Sequence, residues 1–277
     1  MWKMLHPNNA IDNMAVVIRF REPVASLSAK RILRAIEPAA TFAGLINRQP
    51  IQSFQVAIGD PSFPPPPPLA SQGMMFQKTS LVRFEEAVVN QLSSQVTFQP
   101  AELTYSSWMY HSWNQERNNI AGLFKDALRI VVESVAIAAV RLEYLDRFIF
   151  EGDVADFDVG EVLDSTSDLI APQIFTATDL FHSHTGRFED ITEAERTLST
   201  INIDAQILTG APPVGNRRTI ATVTAAERQY LQGLEIAPDN AIDSVITTLD
   251  GLHGHVIDLF GKIINKNFAQ TNGLPHV

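Results

Sequence analysis

The chain has 277 residues, 45% of them hydrophobic and 19% charged, a net charge of −10 and no cysteine. That is globular composition, long enough for one large domain or two small ones. Without cysteine there is no disulfide framework, thiol catalysis or cysteine-held metal cluster, and the acidic balance argues against nucleic-acid binding, which needs a positive field.

The opening residues, Met1 to Pro7, lack an apolar core of signal-peptide length. The longest apolar run, Ile130 to Val140, is interrupted by Glu133 and falls short of the roughly 20 residues needed to cross a bilayer. A cytoplasmic protein with no membrane contact is the expectation.

Residues 15–20 are rich in β-branched side chains and predict a first strand. Ser28 can cap a helix whose apolar residues Ile32, Leu33, Ile36 and Ala40 recur at helical spacing to about Ala43, with Pro38 as a kink or early stop. Ser53 to Ile58 alternates as a strand. The proline-rich run 61–68 cannot join a ladder and reads as a stiff loop, or as a ligand for a proline-recognition domain. Further strands are predicted at 74–79, 95–98 and 103–106, while strand and helix compete over 81–92. A helix at 115–133 carries a clear stripe through Ile120, Leu123, Phe124, Ala127, Leu128 and Val131.

The strand at 138–150 alternates Val140, Leu142, Tyr144, Asp146 and Phe148 with Arg141, Glu143, Leu145, Arg147 and Ile149. Neither set is wholly polar, so the strand belongs in the middle of its sheet. A short helix is predicted at 159–170, then strands at 174–188, 197–208 and 217–225, with a turn at 212–216. Asp239-Asn240 can cap a final helix from Ala241 to about Asn267, the strongest helical stripe in the sequence. Both halves thus run strand, helix, strands, helix. The expected fold is α+β. It comprises two topologically similar lobes, 1–134 and 135–277, each an antiparallel sheet covered by helices, which either share a continuous sheet as one domain or pack tightly, ending in a long C-terminal helix.

Three segments carry a family resemblance: the aromatic stretch 105–113, the strand Val140-Arg-Leu-Glu-Tyr-Leu-Asp-Arg-Phe148, and Leu252-His-Gly-His-Val-Ile-Asp-Leu-Phe-Gly-Lys-Ile-Ile264. They resemble a sporadically distributed, uncharacterised bacterial family of similar length, with an Arg-Tyr-Ile-Asn-Arg-like strand and a C-terminal Leu-His…Phe helix. This sequence departs from that strand, carrying Leu-Glu-Tyr-Leu-Asp-Arg in its place. The resemblance lends no catalytic residues. It implies a free-standing prokaryotic accessory protein, with a role beside a toxin or phage-defence component as an extension.

Nucleotide-binding, nucleophile-elbow and zinc-protease signatures are absent, and no cofactor is expected. Arg141, Glu143, Asp146 and Arg147 form either an ion-pair lattice or a patch that recognises a carboxylate or phosphate. Trp108, Tyr110 and Trp113 form either a strand-to-helix corner or an aromatic docking surface. His182 and His184, two apart on a strand, face one side and could begin a metal site that needs a third ligand. His253 and His255, two apart on a helix, do not face each other, and Asp250 is placed to bond His253. The expected function is non-enzymatic interaction with another protein or with a second copy. The alternatives are a small-molecule binder with a cavity between sheet and helices, and a metal-dependent hydrolase.

Overall fold

A computed structural model describes residues 1–6, 8–51, 73–84, 87–153, 156–177, 179–209 and 216–276. The strand expected at 53–58, the proline-rich run 61–68 and the turn at 212–215 lie outside them. The strands are β1 (Trp2–Met4), β2 (Ile11–Phe20), β3 (Asn47–Ile51), β4 (Gly73–Phe84), β5 (Ala87–Gln99) and β6 (Glu102–Ser107) in the first half. The second half has β7 (Ile137–Phe150), β8 (His182–Asp190), β9 (Glu195–Thr209) and β10 (Asn216–Leu234). The helices are α1 (Ser26–Phe42), α2 (Trp113–Val132), α3 (Ala241–Ile263) and α4 (Lys266–Asn272).

These ten strands form one antiparallel sheet in the order β3-β4-β5-β6-β2-β7-β10-β9-β8, with β1 on the end of β7. The α+β class therefore holds. Of the two expected arrangements, a shared continuous sheet is the one found, because β2 and β7 pair directly from Ile11–Asp146 to Phe20–Ile137. Reading outward from that pair, each half adds its last strand first: β6, β5, β4 on one side and β10, β9, β8 on the other.

One sheet face is covered. Its apolar side chains join α1, α2 and α3 in a large core that includes Val16, Ile18, Phe98, Leu103, Val140 and Leu142. A second core gathers Trp2, Phe148, Phe150 and Ile220 against Leu259, Phe260 and Ile263 at the far end of α3. The helical stripe expected on α2 is the stripe that is buried. Its N-cap, Ser112, accepts from the Gln115 N–H at 3.3 Å. In α1 the cap residue is Ala25 and not Ser28, and Pro38 sits inside a helix that continues to Phe42.

Over 81–92 the strand wins, because β4 and β5 pair from Met74–Phe98 to Phe84–Ala87. The helix expected at 159–170 reduces to one 3-10 turn, Val159–Glu161, followed by a second at Pro172–Thr176. The last helix is also shorter than expected. Ile264 is extended and bridges Leu163, while the Asn265 N–H donates to the Val162 carbonyl at 2.7 Å. The Asn265 side chain then caps α4, accepting from Asn267 and Phe268, so a tertiary bridge ends α3 where its own periodicity would carry it on. The final helix is the seven-residue α4.

A buried carboxylate ties α2 to the sheet. Glu116 is 1% exposed and accepts from the Tyr105 hydroxyl at 2.6 Å, the Ser107 hydroxyl at 3.1 Å and the Asn119 amide at 3.2 Å. Burial, then the Glu116 charge, pushes the Tyr105 phenol upward, so it stays protonated and donates. Glu116→Ala strands two buried hydroxyls and should lower unfolding stability by about 2–3 kcal/mol, read from urea denaturation of both proteins.

Candidate functional site

Alternation along β7 sorts its polar residues onto opposite faces of the sheet. Arg141, Glu143 and Arg147 point to the face that contributes to neither core. The Arg141 Nε donates to Glu143 at 2.9 Å and its Nη2 to Thr200 at 3.4 Å. The Arg147 Nε donates to Asp12 at 2.9 Å and its Nη1 to Gln206 at 3.2 Å. Nearby, Arg19 pairs with Glu227, whose other oxygen accepts from Gln229 at 2.7 Å. These arginines and carboxylates are thus matched among themselves, whereas the Nε of Arg217 on the same face is buried without a partner among the described residues. Asp146 does not belong with them: it is grouped with Tyr144 and Phe148 under the helices, where an alternating strand must put it.

The aromatic stretch before α2 divides as well. Trp113 stacks on the His253 ring, with centroids 4.7 Å apart and planes at 15°. Its indole N–H donates to Asp250 at 2.8 Å, and Arg117 Nε binds both oxygens of the same carboxylate at 3.1 Å. Asp250 is therefore held by α2 and does not bond His253. Tyr110 meets Tyr144 edge-on at 5.5 Å. Trp108 lies in a neighbouring recess of about 220 Å³ with His6, Val82, Gln91 and His111. Trp113 and Tyr110 thus cement a corner between α2, α3 and β7.

Behind that corner lies a cavity of about 210 Å³, lined by Tyr110, Tyr144, Asp146, Thr224, Val256 and Phe260. Its origin is local. Between β1 and β2 the chain leaves the edge of β7, held there by Leu5 N–H to the Arg147 carbonyl at 3.0 Å and Arg147 N–H to the Ala10 carbonyl at 2.8 Å. The excursion places Asn8, Asn9 and Ala10 along the cavity rim. Asn9 fastens it, accepting from the Ile11 N–H at 3.0 Å and donating to the Tyr110 carbonyl at 3.4 Å. On the other side α4 ends at Gly273, whose φ of +67° turns the chain so that Leu274 and Pro275 complete the wall.

Two polar groups in this cavity stand out. Asp146 is 5% exposed, and none of the hydrogen bonds among the described residues engages its carboxylate. Directly opposite it on β10 is Thr222, next to Thr224. Both threonines are fully buried, and neither Oγ1 has a partner. Desolvation alone pushes Asp146 up to about 7. Burial lowers His253, with Asp250 opposing, and raises Tyr144. Tyr144 therefore keeps its proton, and its hydroxyl shares a hydrogen bond with His253 Nδ1 at 3.0 Å whose direction follows the imidazole tautomer.

His182 and His184 do share a face at the edge strand β8. Their Nδ1 atoms meet Asp204 and Asn202, their direct cross-strand neighbours. Among the described residues no three His, Asp or Glu side chains assemble into a metal-holding group. His253 and His255 diverge, the first to Tyr144 and the second to the Ser199 hydroxyl at 2.7 Å. Sequence reasoning missed Glu116 and the pairing of Asp146 with Thr222 and Thr224. An acid at a helical stripe position was the available signal for Glu116.

No protein-family model matches this chain, and no curated protein matches it in sequence. No helix among the described residues is long and apolar enough to cross a membrane.

An unpaired carboxylate with a raised pKa destabilises the folded state as it ionises. The unfolded chain loses this proton near pH 4 and the folded chain near pH 7, so the contribution is intact below about pH 4 and is lost as pH rises through about 7. Asp146→Asn should therefore be more stable than the parent at about pH 8, by on the order of 2–4 kcal/mol. The two should converge near pH 4, as measured by chemical denaturation across pH.

Proposed function

We propose that this protein binds a small molecule in the cavity between β7, β10 and α3. One observation carries the reading: Asp146 and Thr224 are buried, have no side-chain hydrogen-bond partner among the described residues and line the same cavity. Buried polar groups are ordinarily satisfied, so an orphaned pair facing a cavity awaits a partner. At about 30 Å³ per water molecule the space holds about seven waters. It lies below the roughly 300–1,000 Å³ of drug-sized sites, so the ligand is compact. Val256, Phe260 and Leu274 give it an apolar body to rest against.

An interaction role, with another protein or a second copy, has one observation in its favour: the opposite sheet face contributes to neither apolar core. It ranks second because Arg19, Arg141 and Arg147 on that face are already paired with Glu227, Glu143 and Asp12. A prokaryotic accessory role beside a toxin or defence component is compatible with either reading.

Ligand-observed NMR with a set of compact aromatic and aliphatic fragments tests the proposal. Fragments should compete for a single site. Ile257 lines the cavity and is half-buried, so Ile257→Trp should fill it and abolish binding while the circular dichroism spectrum is unchanged. Binding that survives the filled cavity would overturn the assignment.

A further inference from the structure

The geometry points to the class of ligand: a compact organic cation, with an ammonium group on Asp146 and an apolar body among Tyr110, Val256 and Phe260. This rests on the small-molecule reading above and narrows it. The first argument is charge. Asp146 is the only ionisable carboxylate among the residues lining the cavity, and no Lys, Arg or His lines it. An anionic guest would meet uncompensated repulsion, whereas a monocation would balance the site.

The second argument is comparison within the molecule. Three carboxylates among the described residues are buried: Glu116, Asp146 and Glu227. Glu116 has three donors from Tyr105, Ser107 and Asn119, and Glu227 has Arg19 and Gln229. The same sheet that matches those two leaves Asp146 facing a space. A buried charge is tolerated when it is paired, and among the described residues Asp146 has no hydrogen-bond partner, so a bound ligand supplies one.

The third argument is the set of hydrogen-bond roles. An ammonium group brings donors only. Beside Asp146, the Thr224 Oγ1 is buried and unpaired, and it lines the same cavity. The two carboxylate oxygens and the threonine hydroxyl thus offer such a head three acceptors. Aromatic faces add to this: Tyr110, Tyr144 and Phe260 all line the cavity, and rings attract a nearby cation through their quadrupole.

The groups facing Asp146 fix the pH behaviour. They are Tyr144 on its own strand, Tyr110 before α2, Ile11 on β2, Thr222 and Thr224 on β10, Val256 and Phe260 on α3, and the Asn8–Asn9 and Leu274 walls. None of these titrates near neutrality, and His253 lies behind Tyr144. Binding of a cation should therefore follow ionisation of Asp146 alone and be about a hundredfold weaker at pH 5 than at pH 8.

The test is isothermal titration of the full chain with benzylamine, benzyl alcohol and benzoate at pH 8, with benzylamine repeated at pH 5. Benzylamine should bind at one site, at least tenfold tighter than benzyl alcohol, and benzoate should not bind. Asp146→Asn preserves volume and should cut benzylamine affinity at least tenfold while leaving benzyl alcohol unchanged. Thr224→Val, a smaller change, should weaken benzylamine severalfold. If benzyl alcohol binds as tightly as benzylamine, or benzoate binds best, the cation assignment falls while the cavity reading stands. If none of the three binds, both fall.

Discussion

Strand β7 is hydrogen-bonded along both edges, to β1 and β2 on one side and to β10 on the other, and the rest of the structure depends on that position. A strand so placed cannot rotate. Its side chains must alternate between a helix-covered face and an opposite one. Val140, Leu142 and Phe148 enter the cores, while Arg141, Glu143 and Arg147 enter a lattice of ion pairs. A slip of one residue would bury three charges and expose the core, so register is strongly specified. The sheet then grows outward from β2 and β7 in the same manner on both sides, and α3 crosses β7 and β10 over the junction.

Within that frame the covered face contains a deliberate-looking exception. Tyr144 and Asp146 interrupt an otherwise apolar row, opposite two threonines on β10. Tyr144 is tied into a polar chain through His253, whose ring stacks on Trp113, and on through Asp250 to Arg117. That chain holds the Tyr144 hydroxyl against α3 through its hydrogen bond with His253. The asymmetry is informative: Glu116 spends its carboxylate on holding a helix to the sheet, whereas Asp146 holds nothing.

Much of the framework was legible in the residues. The stripes of α2 and α3, the alternation of β7 and its central place followed from periodicity, because burial on one face leaves a 3.6- or 2-residue signature. Helix ends were less legible. α1 ends at Phe42, close to the expected Ala43, with Pro38 inside it, but α3 ends at Ile263 because Leu163 and Val162 engage the next residues from a hundred positions away. The site was half legible. Asp146, Tyr110, Trp113, Arg141 and Arg147 stand out in the sequence in two separate groups, an ion-pair lattice or recognition patch and an aromatic corner or docking surface. In the fold, Asp146 leaves the charged group and joins Tyr110 at a cavity.

The sequence by itself determined which residues share a face, since alternation and helical spacing are local properties of the backbone. It determined that Asp146 would stand among apolar neighbours, and that the arginines beside it would look the other way. Only the tertiary structure decided that this carboxylate would lack a partner. That outcome requires β10 to set Thr222 and Thr224 opposite β7, Asn8, Asn9 and Ala10 to line the cavity rim, and Leu274 to close the far wall. Those pieces are separated by tens to hundreds of residues, and a side chain's pairing is settled by what packs against it, which no local pattern records.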